Sequence, residues 1–218
     1  MRYIKILLTM LIVAAFLVAC NNDDDRVIGE LDEVQQEHTR VKEMVRSQEF
    51  DQAEELINQL IEDNEDNASL YLTKADIYIS QQDYETAVGY LEIAIEKNES
   101  FTEAYSNIAG AYMLMKDYDA AMDYIDQGLE VKPDHEEFQF KKGQLLYVNQ
   151  EFQSAVDTLT PLTEDDFYFE AWRFIGLAQL QLENEQAAIE AFEKYLELAP
   201  ENIQLRDQIE KQVEALKQ

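Results

Sequence analysis

The stretch AYSNIAGAYMLMKDYDAAMDYIDQGLEVKP, Ala104 to Pro133, carries two apolar stripes at helical spacing. In the first, Tyr105, Ile108, Ala109 and Tyr112 recur at intervals of three and four. In the second, Tyr118, Ala121, Ile125 and Gly128 do the same. Asp117 stands where the N-cap of the second stripe belongs, and Pro133 stops it. The stretch therefore reads as two amphipathic helices joined by a tight turn.

The same pattern extends in both directions. An aromatic precedes an alanine in EFDQA, DYETA, DYDAA and EFQSA, which places Ala53, Ala87, Ala121 and Ala155 at intervals of 34. Ala188 in EQAA follows after 33. A period of this length marks a repeat array, in which each unit buries its apolar faces against its neighbours. Composition agrees. The 218 residues are 46% hydrophobic and 11% aromatic, with only 6 Gly and 3 Pro, which suits packed helices.

These residues resemble the tetratricopeptide repeat, a helix-turn-helix unit with aromatic and small residues at set positions. The second unit carries Tyr71, Ala75, Tyr78, Tyr84, Ala87, Leu91 and Ala94; the fifth carries Trp172, Ile175, Gly176, Ala188, Phe192 and Pro200. The fourth keeps Gly143, Leu146, Phe152, Ala155, Leu159 and Leu162, but is one residue short and places Pro161 inside its expected second helix. The first keeps Phe50, Ala53 and Ile57, preceded by a stripe of Leu31, Val34, His38, Val41 and Val45.

The resemblance implies an all-α fold, a right-handed α-solenoid of about five units. Their expected bounds are 34–67, 68–101, 102–135, 136–168 and 169–202, followed by a capping helix over 203–218 with Ile203, Ile209, Val213 and Leu216 apolar. Small residues at Ala75, Ala109, Gly143 and Gly176 are expected to let the first helix of each unit, helix A, approach the second, helix B.

The N-terminus reads differently. Arg2 and Lys5 precede an apolar run from Ile6 to Ala19 that would be about 21 Å long as a helix, against a bilayer core of about 30 Å. A basic start, a short apolar run and a small residue are the parts of a secretory signal. LVAC, Leu17 to Cys20, resembles the bacterial lipobox, which implies cleavage after residue 19 and lipidation of Cys20, the chain's single cysteine. Residues 20–33 then form an acidic tether containing Asp23, Asp24 and Asp25. Three consecutive carboxylates lack the alternating ligands of a calcium loop. They are expected to act as a solvated spacer, or as a surface-export signal of the kind seen in some bacterial phyla. The expected location is lipid-anchored, on a bacterial cell membrane or outer membrane, facing periplasm or exterior.

Charge narrows the partners. With 17 Lys+Arg against 46 Asp+Glu the net charge is −29, which opposes binding to nucleic-acid phosphates. One cysteine excludes an internal disulfide. The two histidines, His38 and His135, are far apart in sequence, and no metalloprotease, serine-hydrolase or phosphate-loop motif is present. His135 lies in DHEE, read as a solvated turn. No enzyme activity, metal or other cofactor is expected.

In solenoids of this kind the partner lies on the concave face formed by the A helices. Helical spacing there selects Ser69, Leu72, Asp76 and Ile79; Glu103, Ser106, Gly110 and Met113; Glu137, Phe140, Gln144 and Tyr147; and Glu170, Arg173, Leu177 and Leu180. This is an apolar groove edged by acids and amides, suited to a protein or peptide partner. The family's carboxylate clamp is not matched, since Leu72 and Asp76 stand where Lys and Asn would be. Phe167, Tyr168 and Phe169 in DDFYFEAW form a candidate aromatic anchor, or pack into the irregular junction beside Pro161. The resulting expectation is a membrane-anchored scaffold or adaptor serving envelope or secretion-complex assembly. The alternative is a lipid-anchored receptor for a small molecule.

Overall fold

The computed structural model describes residues 34–201, 203 and 205–218. The expected signal segment 1–19, Cys20, the run from Asp23 to Asp25 and Leu31 lie outside the described residues. The chain divides into two compact units, Met1–Lys97 and Asn98–Gln218. Among the described residues every regular element is helical.

The first unit holds α1 over 34–46, α2 (Phe50–Asp63), α3 (Ala68–Ser80) and α4 (Tyr84–Lys97). Val41, Ile57, Leu70 and Ile77 are fully buried in its core, with Ala53 at the α1–α2 approach. The second unit holds α5 (Thr102–Met115), α6 (Tyr118–Val131), α7 (Glu136–Val148), α8 (Phe152–Leu159), α9 (Phe169–Gln181), α10 (Glu185–Leu198) and α11 (Arg206–Leu216). Within this unit each helix packs on the next, and α7 also touches α9. One core cluster lies around Leu159, Ala171 and Ile175; the other joins α10 to α11 through Phe192, Tyr195, Ile209 and Val213.

Every A-to-B turn is built alike. Gln48, Gln82, Lys116, Gln150 and Glu183 all have φ between 61 and 66, the left-handed region. In each turn two N–H groups reach back to the last turn of helix A. Asp83 N–H donates to the Tyr78 carbonyl and Gln82 N–H to Ile79, and the same bonds recur at Asp117 and Lys116 and at the other three turns. This is the Schellman arrangement, which satisfies carbonyls that a helix end otherwise leaves bare. The residue after the left-handed one begins helix B. Asp83 and Asp117 accept from the N–H of Thr86 and Ala120, as N-caps do.

The recurring alanine is the contact point of each hairpin. Ala53, Ala87, Ala121, Ala155 and Ala188 are all 0% exposed, and the N–H of each bonds to the N-cap carbonyl. In the last two hairpins the small residue of helix A faces the side chain one turn further along helix B. A Cβ added at Gly143 would lie 2.4 Å from Leu159, and one at Gly176 would lie 2.5 Å from Phe192. Above this contact, Tyr78 stacks on Tyr90 at 5.5 Å and, 34 residues later, Tyr112 stacks on Tyr124 at 5.7 Å.

Two expectations need correction. Pro161 is not inside an α-helix: α8 ends at Leu159 after 8 residues, where α2, α4, α6 and α10 have 14. A proline within the helix would clash with the carbonyl four residues earlier, so the chain tightens into 3-10 turns over Thr160–Glu164 and Asp166–Tyr168. His135 is not simply solvated. It is half-buried, with its ring 4.8 Å from that of Phe138, because it starts α7 directly above the buried Phe138.

Candidate functional site

The A-helix surface has a different character in each unit. In the first, Leu72, Asp76 and Ile79 lie half-buried on α3. Asp76 borders a cavity of about 260 Å³ lined also by Lys42, Arg46 and Thr73. Burial pushes its carboxyl up to about 6, against the opposing pull of Lys42. Beneath it Thr73 is fully buried and bonded to the imidazole of His38, whose pKa is lowered by burial and then by Lys42. A carboxyl pushed up to about 6 beside two exposed cations makes a polar pocket able to take an anionic or hydrogen-bonding group.

Lys42 and Arg46 were not singled out from sequence. Their signal was nevertheless present, because Lys42 lies 34 residues before Asp76 and therefore occupies the same position one unit earlier. The weak tetratricopeptide pattern of α1 hid it.

In the second unit Ser106 is 2% exposed, so it is not a free lining residue. Its hydroxyl donates to Glu137 and accepts from Lys141, which also pairs with Glu137 one turn before it. Burial works against the Glu137 charge, but the hydrogen bonds from Lys141 and Ser106 outweigh it and hold the carboxyl below its ordinary value. This triad ties α5 to α7. Gly110 and Met113 continue the α5 face, both half-buried, and a Cβ at Gly110 would meet nothing within 4 Å.

Along α7 and α9 the surface turns aromatic. Phe140 lies 5.8 Å from Tyr168 and 6.2 Å from Phe174, and Tyr147 lies 5.9 Å from Phe174. Gln144 sits between them on α7, half-buried. Arg173 is held over the Phe174 ring at 4.2 Å by a 2.6 Å bond from its Nε to Glu170. Leu177 and Leu180 rest half-buried on the cluster of α10 and α11. The result is a fixed, half-exposed apolar strip with one oriented guanidinium.

The aromatic triplet separates. Tyr168 packs on the cluster around Leu159 and Phe169 lies 5.9 Å from Tyr195, whereas Phe167 is 77% exposed. Among the described residues no group of three or more His, Cys, Asp or Glu is placed to hold a metal ion, and no helix is long and apolar enough to cross a membrane.

Models of the family described as Tetratricopeptide repeat match residues 78–145 and, in a second version, residues 39–96 and 140–203. The chain belongs to the tetratricopeptide repeat family. No curated protein sequence matches it significantly.

Among solved structures, it is similar to YrrB, described as a TPR protein with an unusual peptide-binding site, with a TM-score of 0.63 and 18% identity over 80% of this chain and 90% of that one. TTC0263, a thermophilic TPR protein from Thermus thermophilus, gives 0.62 and 13% over 84% and 98%. Yeast Tom70 gives 0.72 and 21% over 83% of this chain and 39% of that one. At these identities the likeness concerns the fold.

Proposed function

We propose that this protein is a lipid-anchored scaffold that binds a protein or peptide partner through its A-helix surface at the extracytoplasmic face of a bacterial membrane. The observation that carries the reading is the strip formed by Phe140, Tyr147, Leu177 and Leu180. All four are half-buried on adjoining helices, with Arg173 oriented beside them by Glu170. Rings and leucines held by their own packing lose little freedom on binding, which favours use as an interaction surface. The peptide-binding description of YrrB supports the same class of activity. Anchoring rests on the lipobox-like LVAC and on Cys20. Two or more acyl chains would hold stably at a membrane a chain whose charge of −29 gives it no attraction to anionic lipid.

Photo-crosslinkers placed at Phe140, Tyr147 and Leu177 in the native envelope test the surface. They should capture a common partner that crosslinkers at Asp123 and Glu130 on α6 do not, and equal capture from both sets would sink the reading. The anchor is tested separately: Cys20→Ala should abolish incorporation of labelled palmitate and release the protein from the membrane fraction. Retention with unchanged labelling would refute lipidation at this residue.

A further inference from the structure

The second helix of the fourth hairpin, α8, is 8 residues long where that of the fifth, α10, has 14. The last turns of α8 are replaced by a 3-10 turn that packs on α7 and α9 and buries Leu162 in the core, so the chain leaves the side of α10. A groove of about 640 Å³ opens there. The half-buried Trp172 forms the open part of its floor, over the buried Val156 and Ile175, and its wall is α10 from Ala187 to Glu197. That wall is 11 residues long, about 15 Å or three helical turns.

The rim is acidic. Glu190, Glu193 and Glu197 are exposed along α10, with Lys194 the single cation among the lining residues. Lys194 pairs with Glu197 at 2.7 Å and Lys217 with Glu193 at 2.5 Å, while Glu190 is bonded to the neutral Gln186. Glu190, bonded only to a neutral amide, together with two carboxylates held in exposed and therefore weak ion pairs, complements a segment with large apolar side chains on one face and Lys or Arg on its flanks.

We propose that the groove between α8 and α10 is a docking site for a cationic amphipathic helix of a protein partner. Such a helix occupies the place of the missing turns of α8, with its apolar face on the half-buried Trp172 and its cations beside Glu190 and Glu197. Trp172, Ile175 and Gln179 point away from Arg173, Leu177 and Leu180 around α9, so this site is separate from the A-helix strip. The two succeed or fail independently.

Trp172 is the chain's only tryptophan, so its fluorescence reports on the floor. The full chain is titrated with a synthetic helix of about 14 residues, with leucines at i, i+3, i+4 and i+7 and lysines elsewhere. A saturable change in Trp172 emission is expected. Glu190→Lys combined with Glu197→Lys should weaken binding about tenfold, as loss of two exposed charge contacts implies. Glu130→Lys, a distant charge change, should have less effect. Ala187→Arg, which intrudes on the wall, should also weaken binding.

All four substituted positions are exposed or half-buried, and thermal unfolding checks that each variant folds. Four outcomes would overturn the proposal: no saturable response, equal binding of the peptide with glutamate in place of lysine, a rim effect no larger than that of Glu130→Lys, or sedimentation of the free chain as a dimer that shields Trp172.

Discussion

At the scale of single residues, the same substitution has opposite consequences at different glycines. Gly176 faces the fully buried Phe192, so Gly176→Ala forces that ring to move, at a cost of about 1–3 kcal/mol in stability. Gly110 faces open space, and Gly110→Ala should stabilise by about 0.5–1 kcal/mol through helix propensity alone. Urea unfolding of the two variants reads both signs. Asp76 makes a pH-dependent contribution. Its pKa rises from 3.8 in the unfolded chain to about 6 in the folded one, so the folded state binds more protons between these values. Its ionised form therefore penalises folding above about pH 6, and the penalty fades as pH falls toward 3.8. His38 runs the other way: its lowered pKa makes acidification below 6.5 destabilising. Asp76→Asn should unfold at a higher temperature than the wild type near neutral pH, with the difference vanishing in acid. A constant difference across that range would remove the burial account.

At the scale of elements, the turns and caps decide where helices end. The left-handed residues Gln48, Gln82, Lys116, Gln150 and Glu183 pay for a conformation that glycine adopts freely. Gln150→Gly should raise stability by up to about 1 kcal/mol, and Gln150→Val should lower it, since a branched side chain resists positive φ. Asp117 caps α6 through its bond to the Ala120 N–H, and Asp117→Ala should cost about 1 kcal/mol. Guanidinium titrations of the three variants give these differences. A neutral effect of Gln150→Gly would mean that the turn is not strained. These turns were hidden in the sequence because no glycine marks them, whereas the aspartate caps Asp83 and Asp117 were legible from their place before Tyr84 and Tyr118. The limit of α8 was misplaced for a related reason. Pro161 announces a break, but whether the helix kinks through it or stops before it depends on the packing of Leu162 against α9.

At the scale of the whole molecule, charge dominates. A net charge of −29 repels itself in the compact state, and the ion pairs among the described residues lie at half-exposed or exposed positions where each contributes little. Added NaCl should therefore raise the melting temperature, most steeply between about 0.02 and 0.3 M, where the screening length falls below the spacing of surface charges. A melting temperature that fell with salt would mean that the pairs outweigh the repulsion.

The 34-residue period determined by itself that the chain is a series of helical hairpins, because the recurring alanine, small residue and aromatics of a hairpin serve contacts made within that hairpin. Helical spacing likewise placed Phe140, Tyr147, Leu177 and Leu180 on one face, since the period of a helix is local. Which of those side chains remain available was a tertiary matter. Ser106 is consumed by Glu137 and Lys141 from the following A helix, and Asp76 shares a small cavity with Lys42 from the preceding one. The groove over Trp172 also belongs to the tertiary structure. It exists because α8 stops at Leu159 while α10 runs its full length, a difference between elements that no single helix records.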